Sequence, residues 1–266
     1  MISNEKIIID TSPGEKRVAV LKNNRLANLF IERHHAPWLR GAIILARVTA
    51  TRKELGASFL DLGTSSGYIE HGKMNQPLDG ESLLVQVLND AHRKKSARVS
   101  SNICLRGKYF DLYPLMSTSS ISRKIKSKKK RGLIKQFIDE NIPNGIGVHI
   151  RESFDVSDLL CMKEVTLAQL QKWKNVEERI SKSRSPSILM PSLGALGQAM
   201  EKYPNANVYE GRYGNLFKDY GVDLEINRAL ERKISLDSGA YLFFDETEAL
   251  TSIDIDIGSG STVSYT

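Results

Sequence analysis

Five short runs, AIILARVT (42–49), ASFLDL (57–62), GYIE (67–70), SLLVQVLN (82–89) and RVSSNICL (98–105), decide how the middle of this 266-residue chain folds. They are rich in β-branched and apolar residues and are separated by turns bearing Gly, Ser, Pro or Asn, the pattern of short strands. Five such strands within about 65 residues fit a small closed barrel of the OB type, whose outer face commonly binds single-stranded nucleic acid. Phe59 and Tyr68 would supply stacking faces there. Arg93, Lys94 and Lys95, in the stretch before the last strand, would supply phosphate contacts. Aromatic residues in so small a barrel are more often core than platform, so the basic stretch beside them carries more of the argument.

Working outward, residues 6–33 read as three strands, with a Ser-Pro-Gly turn after Asp10 and a tight hairpin turn at Asn23-Asn24. A meander this short needs a partner surface. On the other side, residues 106–151 form a second β-containing unit with a short helix in LIKQFIDENI. Eight Lys and Arg lie between Arg123 and Lys135 with no acid among them. A solvated basic face explains such a run, but Ile121 and Ile125 interrupt it, which predicts a strand at its start with Arg123 and Lys124 held in place. Residues 157–183 carry helical apolar spacing. Short helices and strands alternate from 188 to 245.

The last third ends in EALTSIDIDIGSG (248–260), read as a buried strand. Asp254 and Asp256 are two apart, so a strand points both to one face, while Ile253, Ile255 and Ile257 take the other and would anchor it in a core. Glu248 has the same parity as the two aspartates. Carboxylates converging on one surface suit a hard cation such as magnesium; a half-exposed strand with its acidic side to water is the competing reading. All 38 Lys and Arg fall at or before Lys233, with 25 of the 31 acids, so that body carries +13 and the last 33 residues −6. A basic body with a small acidic focus suits a polyanion held by the protein and attacked at a cation.

At 41% hydrophobic content and a pI near 9.3, the chain can build one large or two to three small cores. No apolar run approaches the roughly 20 residues of a membrane span, and MISNEK at the start lacks a signal-peptide layout, so a cytoplasmic protein is expected. Cys104 and Cys161 are far apart beside apolar neighbours and read as buried thiols. The five histidines lack metal-ligand spacing.

Several stretches resemble the RNase E/G family of bacterial endoribonucleases: RVAVLKNNRLANLFIER, GASFLDLG, GYIEH, LRGKYFDLYP, ISRKI, IPNGIGVHIR, LFKDYGVDLEINRALERKISLDSGAYL and, with high specificity, TEALTSIDID. The resemblance spans nearly the whole chain. It implies an α+β, multi-subdomain fold, in which an RNase H-like subdomain is interrupted by an OB-fold RNA-binding barrel and a sensor of the RNA 5′ end. A DNase I-like catalytic domain follows. It also implies magnesium-dependent cleavage of single-stranded RNA, favouring a 5′ monophosphate. By position, Asp254 matches the family's first metal-binding aspartate and Glu248 the acid before it. Phe59, Tyr68 and Lys95 match the barrel's RNA contacts, and Arg151 the arginine on the 5′ phosphate. Four departures stand out. Tyr68 replaces a Phe, Asp256 an Asn and Glu152 a phosphate-binding Thr, and the RNase H-like part is shortened around 195–209. The chain also stops ten residues after Asp256, short of where the family's second metal-binding aspartate and zinc linker would stand.

The expected layout is an RNase H-like subdomain at 1–36 and 184–235, the barrel at 37–105, a 5′-sensor-like region at 106–183, and the opening of the catalytic domain at 236–266. The expected function is endoribonucleolytic cleavage in RNA processing and decay, with Asp254, Glu248 and Asp256 catalytic and Mg2+ held by Asp254 and Asp256. RNA would be bound by Phe59, Tyr68, Lys94, Lys95, Arg123, Lys124 and Arg151. Single-stranded RNA is the partner, and homo-oligomer formation is left open. The alternative is a non-catalytic RNA-binding protein of the same descent.

Overall fold

The computed structural model describes residues 5–35, 38–71, 76–91, 95–211, 215–236, 238–247 and 250–257. Its strands and helices begin with β1 (Glu5–Ser12), β2 (Glu15–Lys22), β3 (Arg25–Arg33), β4 (Ile43–Arg52), β5 (Ala57–Asp61), β6 (Ser66–Glu70), β7 (Ser82–Asn89) and β8 (Ala97–Ser100). Next come β9 (Phe110–Tyr113), β10 (Ser120–Ile121), α1 (Lys128–Asn141), β11 (Gly147–Ile150), α2 (Leu159–Ile180), β12 (Ser187–Met190) and α3 (Gly194–Lys202). The chain closes with β13 (Asn207–Glu210), α4 (Leu216–Asp219), α5 (Val222–Ala229), β14 (Lys233–Ser235), β15 (Tyr241–Glu246) and β16 (Thr251–Asp256). The fold is mixed α+β and divides into two units, Pro37–Gly194 and Met1–Ala36 with Ala195–Thr266.

In the first unit, β4 pairs with β5, β5 with β6, β6 in parallel with β8, β8 with β7 and β7 back with β4, closing a five-stranded barrel of OB-like form. Its interior is filled by Ile44, Ala46, Val48, Leu60, Ile69, Val85, Val87 and Val99. Strand β12 adds to the outer edge of β4 through Ser187↔Leu45 and Ile188↔Ile44. A second core lies beneath β9 and β11, where Phe110, Leu112, Val148 and Ile150 pack with Ile134 and Phe137 of α1 and with Met162, Trp173 and Val176 of α2. Ser127 caps α1, its hydroxyl accepting from Lys130 N. The strand expected at the start of the basic run is only Ser120–Ile121, so Arg123 and Lys124 lie in the turn after it. Ile125 is buried and anchors that turn from its far side.

In the second unit, β13, β1, β2 and β3 form a four-stranded sheet, with β13 parallel to β1 and the rest antiparallel. Its two faces are both covered. Ile7, Ile9, Val18 and Val20 meet Ala195 and Ala199 of α3, while Ile8, Ala19 and Leu21 meet Phe217 and Val222 of the α4–α5 region. A near-continuous run of isoleucines in β1 follows from that two-sided burial. The Asn23-Asn24 turn has both residues at positive φ, 53° and 61°, the geometry that a two-residue hairpin turn needs.

The same unit carries a three-stranded sheet, β14-β15-β16. The expectation of a buried strand is corrected here. Every residue of β16 is exposed, and Ile253, Ile255 and Ile257 are 58%, 63% and 55% accessible. Alternation sets which face a residue occupies; covering that face takes another layer, and none packs on this sheet among the described residues.

Candidate nucleic-acid interface

The register places Phe59 directly opposite Tyr68, and Tyr68 beside Arg98 on the parallel neighbour β8. All three alternate with buried residues (Ser58 and Leu60, Gly67 and Ile69, Ala97 and Val99), so they share the barrel's outer face. Phe59 and Tyr68 are half-buried on that face. A rigid, partly exposed aromatic pair can stack on successive bases at little cost in side-chain entropy. Arg98 pairs with Glu70 at 3.0 Å, so a planar guanidinium, charge-matched at the surface, ends the aromatic row. Arg47 and Arg52 lie exposed on β4 at the two margins. Sequence reasoning missed Arg98, because only barrel closure brings β8 beside β6. Lys95 is exposed next to β8, whereas Lys94 lies outside the described residues.

A second basic cluster surrounds the end of β11. The Arg151 guanidinium donates to both oxygens of Asp111 on β9, through Nη2 at 2.7 Å and 3.0 Å and Nε at 3.3 Å. Asp111 is nearly buried and also accepts from the Gly107 N–H at 3.3 Å. Glu152, next in the chain, pairs with Lys124 at 3.0 Å. The turn carrying Arg123 and Lys124 is tied to this place by Ser122 N–H donating to Ile150 O, and by Arg131 donating to the carbonyls of Ser122 and Ile125. The structure therefore brings Arg123, Lys124 and Arg151 together but matches two of the three with carboxylates. Asp111 was not legible as a partner, lying 40 residues from Arg151.

On the three-stranded sheet, Asp254 faces Phe243 and Asp256 faces Tyr241, so both carboxylates share one side. The acidic end is not purely acidic. Arg232 holds Asp245 bidentately at 2.6 Å and 3.0 Å, which keeps that carboxyl below its ordinary range. Lys233 lies on the aspartates' side, its Nζ 3.7 Å from the Tyr241 ring centre. Glu248 lies outside the described residues, between the ends of β15 and β16. Among the described residues no three His, Cys, Asp or Glu side chains converge as a metal cage. Two adjacent carboxylates still fit magnesium, which takes one or two from protein and keeps water or substrate oxygen for the rest.

A closed OB-like barrel with aromatics on its outer face has the form of folds that bind oligonucleotides or oligosaccharides. The chain belongs to the Ribonuclease E/G family, whose model matches residues 104–212 and 197–265. It is 25% identical over 314 aligned positions to Ribonuclease G of Escherichia coli strain K12, covering 96% of this chain and 63% of that protein. Similar figures hold for Ribonuclease G of Haemophilus influenzae, 24% identical over 96% of this chain and 62% of the relative. Ribonuclease E of Escherichia coli strain K12 is 22% identical over 94% of this chain and 28% of its own length. The chain thus spans under two thirds of these relatives. The 314 aligned positions exceed its 266 residues, so the Ribonuclease G relative carries segments it lacks. No helix among the described residues is long and apolar enough to cross a membrane.

Proposed function

We propose that this protein binds single-stranded RNA on its barrel and acts as an endoribonuclease in RNA processing or decay, through the sheet that carries Asp254 and Asp256. The observation that carries the reading is the Phe59–Tyr68 pair on the outer face of a closed barrel, in a chain of a ribonuclease family. The sheet β13-β1-β2-β3 with helices on both faces supports the RNase H-like reading for 1–36 and 195–235, whereas 184–194, with β12 on β4, falls in the barrel's unit; the β14–β16 sheet supports the opening of a catalytic domain at 236–266. Asp254 and Asp256 would hold Mg2+, which supplies charge neutralisation at the scissile phosphate and a more acidic water. Lys233 and Arg232 lower the repulsion a phosphodiester meets at this face.

The cleavage test uses end-labelled single-stranded RNA with magnesium or with EDTA, on the parent chain and on Asp254→Asn. Cleavage that needs magnesium and disappears in the variant, with RNA affinity kept, is the expected result. Equal cleavage by both proteins would place the activity elsewhere. Binding by both with cleavage by neither is the outcome for the second reading, a non-catalytic RNA binder, favoured by the full exposure of β16.

A further inference from the structure

A groove of about 460 Å³ runs between the C-terminal half of α2 and β12. Its floor is apolar, with Val176 and Leu189 each 2% exposed, and its walls carry Lys172, Arg179 and Lys182 against one acid, Glu178. Arg179 is fixed by donating Nη1–H to the Leu189 carbonyl at 2.6 Å, a hydrogen bond that orients the guanidinium without neutralising it. Among the described residues, none of the three cations has a carboxylate within ion-pair distance. Three like charges around one hollow repel one another, and a polyanion lying in the hollow reverses that sign. A fixed guanidinium flanked by flexible ammonium groups is a phosphate-recognising set, and the apolar floor takes a base or sugar.

We infer that the α2–β12 groove is a second binding segment for the same single-stranded RNA, holding the backbone where the strand leaves the barrel. This role rests on the barrel being the primary RNA site. Continuity favours RNA over a free anion, since the β12 side of the groove is hydrogen-bonded directly to the barrel strand β4.

The test compares Lys172→Gln/Lys182→Gln, two exposed positions, with the parent chain and with Phe59→Ala/Tyr68→Ala. Binding is measured against salt for an RNA short enough for one barrel, roughly 4 nucleotides, and for one well beyond the roughly 16 that a barrel covers. The lysine variant should leave the short RNA unchanged and reduce the long RNA's log–log salt slope by about 1.4, at about 0.7 for each phosphate no longer neutralised. Weakening of both lengths by the barrel variant alone would overturn the groove and leave the barrel standing. Weakening of neither length by the barrel variant would overturn the barrel reading itself. Saturation of the lysines by inorganic phosphate as tightly as by long RNA, read by NMR, would make the groove a free-anion site and refute the RNA track.

Discussion

Arg151 and Asp111 form a bidentate ion pair in which both carboxylate oxygens and two guanidinium nitrogens are engaged. The arginine that by resemblance would hold a 5′ phosphate is thus already charge-matched by its own fold. A terminal phosphate must compete with Asp111 and also approach Glu152, whose charge Lys124 compensates only at the surface. Binding of 5′-monophosphate RNA should exceed that of 5′-hydroxyl RNA by less than about tenfold, or about 1.4 kcal/mol. Asp111→Asn, which keeps the shape and removes the charge, should raise the ratio, as should Glu152→Thr. Anisotropy with the two RNAs measures it, and a larger preference in the parent chain would sink the argument.

The aromatic row predicts the energetics of the barrel. Stacking on an aromatic side chain contributes about 1–3 kcal/mol per base, so Phe59→Ala or Tyr68→Ala should weaken short RNA about 5- to 150-fold with little sequence dependence. Both rings are half-buried, so each variant's denaturation midpoint is measured beside its affinity. Tyr68→Phe should bind like the parent chain, since stacking uses the ring and not the hydroxyl.

Gly147 opens β11, and a Cβ there would lie 2.4 Å from Thr118 O and 2.7 Å from Met116 O, both backbone atoms. Neither can swing aside as a side chain would. Gly147→Ala should destabilise the Pro37–Gly194 unit by about 1–3 kcal/mol, the usual cost of overpacking, and displace the strand that leads to Arg151. Chemical denaturation would show it, and unchanged stability would mean that residues 116–118 yield more easily than their packing implies.

The sequence made the local pairings readable and left the closures hidden. β5, β6 and the Asn23-Asn24 hairpin announce themselves by alternation and turn chemistry within a few residues. Arg98 beside Tyr68 and Asp111 beneath Arg151 depend on strands meeting across 30 to 40 positions, which no local pattern encodes. The isoleucines of β16 show the converse limit: an apolar face is written in the sequence, but whether a layer covers it is not. Charge position misled in the same way, because a hairpin folds Arg232 back onto Asp245 and breaks up an acidic tail that looked unopposed.

Tyr113 supplies a pH signature. Burial pushes its hydroxyl up to about 12, aided by its hydrogen bond with Cys104 and by the charges of Cys104 and Asp111; the thiol itself is raised, chiefly by burial. A folded-state value above the unfolded value of about 10 means that stability is intact below pH 10 and falls between there and about 12. Denaturation midpoints across that window should drop for the parent chain and flatten for Tyr113→Phe. Alkylation of Cys104 should likewise require a higher pH than an ordinary thiol does.

The parallel pairing of β1 with β13, Lys6 beside Asn207, sets a schedule for synthesis. The third strand ends at Arg33, about 170 residues before the fourth neighbour begins at Asn207 and further still before Phe217 and Val222, which cover Ile8 and Leu21. At the usual 5–20 residues per second that is a wait of roughly 8–35 s before the sheet is complete and covered, while the contiguous Pro37–Gly194 unit can finish folding in the interval. Throughout that interval the nascent meander exposes the apolar faces that α3 and the α4–α5 region later cover.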